Sequence, residues 1–260
     1  GPESWGLDEN IRFIDQLAKL KFNEIFLAFY PWQSYVHYEF RGAQKQSALS
    51  WFGYHYLIDE DTVGREIFAG ATEFENPDLA GITDYRQRHE AARRQAQGIL
   101  QHAQRRGMTT GLSTALLEYP LELQPQIPGS KTVDQIGFLT CGPGDDHDPY
   151  DPLLVELVRT VIGAHLQAYP EADVIYLGVP EHRAWMDRAE DAWQRLDAKY
   201  DISSILSLDE AVRNAEKRSE VFGGLQRQVS RIKADIVALS LLDKVLEDRE
   251  LLARCGKPPV

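Results

Sequence analysis

Two glutamates follow apolar segments of the chain in the way that catalytic carboxylates follow the strands of parallel α/β enzymes. Glu181 comes after the apolar run 174–179 and Pro180, and Glu118 comes after the apolar run 109–117. Carboxylates at the carboxyl ends of parallel strands lie where such enzymes carry out their chemistry. Glycosidic bond cleavage needs two carboxyl groups, one to donate a proton and one to attack or to activate water. We therefore predict Glu181 as a general acid and Glu118 as the second carboxylate.

Each of these residues also has a plain structural interpretation. Glu181 immediately precedes a helix-like segment, so it could instead cap that helix at the surface. Glu118 could be a loop residue held in a salt bridge. His182 either hydrogen-bonds substrate hydroxyls and tunes Glu181, or points away from it, because neighbouring residues at a strand end face opposite sides.

Residues 31–83 form a long aromatic-rich segment without helical or strand periodicity. A connection of this length in a compact domain usually has a function when it is ordered. Aromatic side chains cover the apolar C–H faces of sugar rings while their polar edges reach the hydroxyls. The residues of this segment that we predict to contact a substrate are Trp32, Tyr35, Trp51 and His55. The alternative is that these aromatic residues pack the segment onto the rest of the protein.

Three segments with helical spacing of apolar residues each precede a continuous apolar run. The helix and strand pairs are 8–20 with 25–30, 84–106 with 109–117, and 151–168 with 174–179. Asp8, Thr83 and the Asp151-Pro152 pair are the expected helix starts. This alternation of helix and strand is typical of a parallel sheet.

The remaining segments are predicted as one loop and three helices. Residues 119–150 are rich in proline, glycine and acidic residues and indicate a loop. Residues 185–200 are expected to be helical, and Ser207 with Glu210 forms a capping box that opens a further helix. The apolar stripe of the final helix consists of Leu225, Val229, Ile232, Ile236 and Leu239.

Three strand-helix units with long loops are too few for a finished fold. We therefore interpret residues 1–260 as a single incomplete α/β domain, namely about the first half of a (β/α)8 TIM barrel. In this interpretation the segment 31–83 is a long βα loop over the active face. Residues 201–260 are a helical extension that leads toward a missing strand.

Composition and motifs exclude several classes of function. The formal charge of −12 and the pI near 5.1 argue against nucleic-acid binding, which needs a basic surface. No apolar run approaches the roughly 20 residues of a membrane span. Two cysteines are too few for a disulfide framework or a zinc site. The acidic run 145–148 lies among glycine and proline and indicates a solvated turn, and no nucleotide-binding glycine motif is present. Neither a metal nor a cofactor is predicted.

The segment IDQLAKLKFN, residues 14–23, followed by a buried strand and later by Glu181, resembles the front half of a known catalytic barrel. The resemblance is to hexosaminidase-like and α-glucuronidase-like glycoside hydrolases, and it covers residues 5–35 and 150–185. It implies that Glu181 matches the general-acid glutamate after the fourth barrel strand. Where hexosaminidases of this type have an Asp-Glu pair, this chain has Pro180-Glu181. This difference weakens the interpretation as a substrate-assisted hexosaminidase, and it does not contradict the glucuronidase-like alternative.

The sequence thus predicts a fragment of a carbohydrate-active hydrolase whose partner is a carbohydrate or glycoside. The attacking group in such barrels comes from a later strand, so the chain alone is expected to be inactive. Two other interpretations remain open: a metal-dependent sugar isomerase or epimerase barrel, and a barrel that binds glycan without catalysis. If the parent protein resembles polysaccharide-degrading enzymes, a secreted or periplasmic location is expected. Sugar identity, linkage, stereochemical outcome and oligomeric state are left open.

Overall fold

Helices and strands alternate along the chain in a computed structural model that describes residues 2–54, 56–68, 70–134, 137–179, 185–217 and 224–253. The α-helices are α1 (Leu7–Lys19), α2 (Tyr85–Arg105), α3 (Pro152–Ala168), α4 (Ala189–Tyr200), α5 (Leu208–Lys217), α6 (Leu225–Leu246) and α7 (Arg249–Ala253). The strands are β1 (Glu24–Phe29), β2 (Glu39–Phe40), β3 (Ala43–Gln44), β4 (Thr109–Ala115), β5 (Tyr119–Pro120), β6 (Lys131–Thr132), β7 (Thr140–Gly142) and β8 (Val174–Gly178).

The central element is a parallel sheet with the strand order β1-β4-β8. Its spatial order follows the order of the chain, and the connections between neighbouring strands contain α2 and α3. Ala28 pairs with Ser113, and Ser113 pairs with Tyr176. The three predicted strands and the helices that precede them are confirmed, and the chain has a mixed α/β fold.

One face of this sheet packs against helices and forms the core. Leu27 and Leu112 are register partners, as are Leu112 and Ile175, so these side chains lie on the same face. They pack with Phe29 and with apolar residues of α2 and α3 in one hydrophobic cluster. Phe29 and Leu112 are buried, whereas Leu27 and Ile175 are partly buried. Full burial of a large apolar side chain stabilises a fold by about 1.5–3 kcal/mol.

The opposite face of the sheet carries exposed aromatic side chains. Phe26 is 59% exposed and Tyr176 is 41% exposed, and their ring centroids lie 5.7 Å apart. Between them, a Cβ on Gly111 would lie 2.7 Å from Cε2 of Tyr176, so the absence of a side chain lets the tyrosine ring lie over the central strand. Within the described residues, the helices cover the other face.

The helix starts show where capping differs from the sequence prediction. Asp84 rather than Thr83 caps α2, since its carboxylate accepts a hydrogen bond from the Gln87 amide at 2.9 Å. Helix α1 is capped at Gly6, whose amide donates to the side chain of Glu9 at 3.0 Å, and the prediction of Asp8 was wrong. The Asp151-Pro152 start of α3 is confirmed.

Residues 119–150, predicted as a loop, contain short strands as well. Strands β5, β7 and β6 form a small antiparallel sheet, and Leu121–Gln126 form a 3-10 helix. The hydroxyl of the buried Tyr119 lies 2.6 Å from Oγ of Ser130. Strands of two or three residues are too short for the alternation of apolar and polar residues by which strands are recognised in a sequence.

The C-terminal helices belong to the same hydrophobic core as the sheet. The capping box of Ser207 and Glu210 is confirmed, with the Ser207 amide donating to the Glu210 carboxylate at 3.0 Å. In α6 the buried residues include Ile236, Val237, Leu241 and Val245, whereas Leu239 is 55% exposed, so the predicted stripe is confirmed at Ile236 and wrong at Leu239. Helix α6 contacts α4, α5 and α3, which determines the face that it buries.

Replacing Phe29 with alanine is expected to lower the free energy of unfolding by about 3–5 kcal/mol, because its ring is buried against Tyr35 and Tyr169. The matched control is Phe26→Ala on the opposite face of the same strand, with an expected loss of about 1 kcal/mol. Urea denaturation followed by circular dichroism measures both. Equal losses at the two positions would contradict a core on one side of the sheet.

Candidate functional site

The carboxyl ends of β1, β4 and β8 lie at one edge of the sheet, because the three strands are parallel. Glu118 is the third residue after Ala115, the end of β4, and it is buried. Glu181 is the third residue after Gly178, the end of β8, and Gly178 pairs with Ala115. Glu181 and His182 lie outside the described residues, so their roles stay predictions.

Glu118 lines a small internal void of about 10 Å³ together with Lys45, Thr114 and His165. This volume is close to the minimum that holds one water molecule. A sugar ring therefore cannot reach Glu118 through this void. The catalytic role of Glu118 stays a prediction that would need the edge to open.

Two buried nitrogen bases occupy the interior beside this void. Nζ of Lys45 donates hydrogen bonds to the carbonyl oxygens of Gln33 and, at 2.7 Å, of Val36. Burial lowers the pKa of Lys45 to about 7. Burial likewise lowers the pKa of His165 to about 4, and its Nδ1 donates to the carbonyl of Val161 at 2.8 Å. Lys45 thereby ties the start of the aromatic segment to the β2–β3 hairpin.

Trp32 and Tyr35, predicted to contact a substrate, pack against other aromatic side chains of the protein. Trp32 is 1% exposed, its ring stacks on Tyr30 with a centroid distance of 4.7 Å, and its Nε1 donates to the carbonyl of Trp51. Tyr35 stacks on Phe29 at 4.9 Å, and burial raises its pKa to about 12. A substrate contact stays a prediction for both, and His55 lies outside the described residues.

Trp51 lines a cavity of about 500 Å³. Its hydrogen bond from Trp32, the third residue after β1, connects this cavity to the carboxyl end of that strand. The aromatic side chains on the walls, all at least one-third exposed, are Trp51, Tyr54, Tyr56 and Phe74. A volume of this order lies in the range of small-molecule sites.

The pairing of two distant stretches builds the cavity wall. Leu57 and Glu73 form an isolated antiparallel bridge, and the Phe74 amide donates to the carbonyl of Tyr56 at 2.8 Å. This pairing places residues 73–75 beside residues 56–58. Sequence reasoning missed Tyr56, Phe74 and the acidic residues of this wall, because the bridge is non-local and too short to leave a periodic pattern.

The ionisable groups on the walls are mostly carboxylates. Glu3, Glu73 and Glu75 line the cavity. Burial raises the pKa of Glu3 to about 7. Among the described residues, Oε2 of Glu3 is a buried acceptor without a hydrogen-bond partner.

Arg88, which also lines the cavity, binds groups of the protein itself. Its Nε donates to the carbonyl of Ala48 at 3.1 Å, and Nη2 donates to Oγ of Ser50 at 2.9 Å. Nη1 donates to the carbonyls of Leu79 and Ile82 at 2.9 and 3.2 Å. Arg88 thus ties the middle of the aromatic segment, at Ala48 and Ser50, to its C-terminal end, at Leu79 and Ile82.

No protein-family model, curated protein or solved structure matches this chain. In the part of the chain that the structure describes, no group of three or more His, Cys, Asp or Glu residues is arranged to hold a metal ion. No helix in the same part is long and apolar enough to cross a membrane.

The buried His165 makes the stability depend on pH. Its pKa is about 4 in the folded protein and about 6.5 in an unfolded chain, so between these values the unfolded chain holds a proton that the folded protein does not. The free energy of unfolding should therefore rise by about 3 kcal/mol from pH 4 to pH 6.5 on account of this group. This contribution is lost as the pH falls from 6.5 to 4.

Urea denaturation at a series of pH values tests this, with His165→Leu as the variant that removes the titrating ring. The expected result is a flatter dependence between pH 4 and 6.5 than in the wild type. Ile162→Leu, at a buried position of the same helix without a titrating group, provides the control. An unchanged slope in His165→Leu would contradict the assignment.

Proposed function

We propose that the chain is part of a (β/α)8-barrel glycoside hydrolase and that the cavity beside β1 binds its carbohydrate substrate. The observation that carries this proposal is the cavity itself, with exposed aromatic rings and hydrogen-bonding carboxylates around a space of about 500 Å³. Sugars combine apolar ring faces with a dense set of hydroxyls, and such walls complement both.

The sheet supports the barrel part of the proposal. Its strands are parallel, follow the order of the chain, and carry helices on one face. In a doubly wound sheet helices cover both faces, whereas in a barrel the second face points inward. The exposed Phe26 and Tyr176 on the second face are the type of residue that a closed barrel would bury.

Strand register supports Glu181 as the general acid. Because Ala115 and Gly178 are paired, Glu118 and Glu181 follow the ends of neighbouring parallel strands at the same chain distance. The prediction from the sequence assigns proton donation to Glu181, with Glu118 as the second carboxylate. A later strand of the parent protein is the alternative source of that second group.

Trp51→Ala in this 260-residue chain is expected to weaken binding of neutral oligosaccharides about 5- to 10-fold, because the ring face that covers the sugar is lost. Isothermal titration calorimetry with a panel of trisaccharides measures the change. The matched control is Phe22→Ala, an exposed aromatic residue that precedes β1 at the opposite edge of the sheet and should leave the affinity unchanged. Equal binding by the wild type and Trp51→Ala would refute this binding site.

Glu181→Gln in the complete parent protein is expected to lower kcat on alkyl glycosides, whose leaving groups need protonation, by a factor of about 10²–10⁴. Aryl glycosides with acidic leaving groups, including an aryl uronide, should lose much less. This difference between leaving groups separates loss of a general acid from misfolding. Full turnover of the variant on every cleaved substrate would exclude Glu181 as the acid. Absence of hydrolysis in the parent, with glycan binding retained, would favour the non-catalytic alternative.

A further inference from the structure

The aromatic walls of the cavity meet at steep angles. The ring planes of Trp51 and Tyr56 make an angle of 75° with their centroids 6.5 Å apart, and those of Tyr54 and Tyr56 make an angle of 61° at 6.4 Å. Rings in this arrangement present faces in different directions around one corner. The electron-rich faces of aromatic rings attract cations, and several faces around one point form a cage for an ammonium group.

The charged groups on the same walls have the sign that complements a cation. Glu3, Glu73 and Glu75 contribute three carboxyl groups. Among the described residues that line the cavity, the one basic side chain is Arg88, and its guanidinium donates to three carbonyls and a hydroxyl of the protein. The walls therefore carry three carboxyl groups against one guanidinium whose donors are engaged, so they offer an ammonium ion both aromatic faces and carboxylates, whereas a ligand carboxylate would meet mostly like charge.

We propose that this cavity recognises a ligand with a protonated amino group, and that the substrate class is an amino sugar rather than a uronic acid. The sugar part of this inference rests on the proposed function, whereas the cation part stands on the cavity walls. The ammonium group lies in the corner of Trp51, Tyr54 and Tyr56, with Glu75 as its exposed carboxylate partner. The neutral sugar ring occupies the remainder of the cavity.

The test compares three trisaccharides by isothermal titration calorimetry with the full 260-residue chain: a glucosamine oligomer, its fully N-acetylated counterpart, and an oligogalacturonide. The glucosamine oligomer should bind about tenfold more tightly than the acetylated one, since acetylation removes the charge. The oligogalacturonide should bind more weakly than either. Equal or tighter binding of the acetylated or uronic oligomer would overturn the inference while leaving carbohydrate binding intact.

Variants distinguish the contribution of the charge to ligand binding from that of the aromatic surface. Glu75→Gln should weaken glucosamine-oligomer binding several-fold and N-acetylated-oligomer binding much less, because only the first carries a cation and glutamine still hydrogen-bonds to sugar hydroxyls. Glu66→Gln, an exposed carboxylate of the same segment outside the cavity lining, is the matched control and should change neither. A loss of both oligomers in Glu75→Gln, with an unchanged melting temperature, would contradict a charge-specific role.

Tetramethylammonium, titrated alone, distinguishes failure of this inference from failure of the proposed function. Binding of tetramethylammonium that is lost in Trp51→Ala, without binding of any sugar, would support the cation cage and reject the carbohydrate proposal. If neither tetramethylammonium nor the glucosamine oligomer binds, the cation cage is rejected.

Discussion

Burial of one face of the β1-β4-β8 sheet is the constraint on which the rest of the structure depends. Leu27, Leu112 and Ile175 share that face because the strands are parallel and in register, and α2 and α3 cover it. The same register brings the ends of the three strands to one edge. A one-residue slip of any strand would turn its apolar side chains away from the helices. Packing energy therefore determines where Glu118 lies, as well as the side of the sheet that carries Phe26 and Tyr176.

Two basic side chains, Lys45 and Arg88, hold the long aromatic segment in place by hydrogen bonds to its backbone. Segments of this kind leave many backbone carbonyls without partners in a helix or sheet, and buried carbonyls need donors. Lys45 donates to the carbonyls of Gln33 and Val36, and Arg88 donates to those of Ala48, Leu79 and Ile82. The Arg88 bonds to Ala48 and Ser50 fix the backbone just before Trp51. Arg88 is the one basic side chain among the described residues that line the cavity, against the carboxyl groups of Glu3, Glu73 and Glu75.

The cavity and the predicted acid belong to different parts of the chain. Trp32 joins the cavity to the end of β1, and Glu181 follows the end of β8. Because parallel strands all end at the same edge of a sheet, segments that are far apart in the chain can contribute residues to one site. Our proposals assign binding to the segment after β1 and proton transfer to the segment after β8.

The sequence by itself determined the three strands, the helices that precede them, the start of α3 and the capping box of α5, because these depend on local periodicity and local hydrogen bonds. It also named Trp51, together with Trp32, Tyr35 and His55, as a candidate substrate contact. Only the tertiary structure decided that Trp32 is buried whereas Trp51, Tyr56 and Phe74 surround a cavity, and that Leu239 faces solvent. Those outcomes depend on non-local contacts: the bridge between Leu57 and Glu73, and the helices against which α6 packs. Such contacts form between residues far apart in the chain, so no local sequence pattern predicts them.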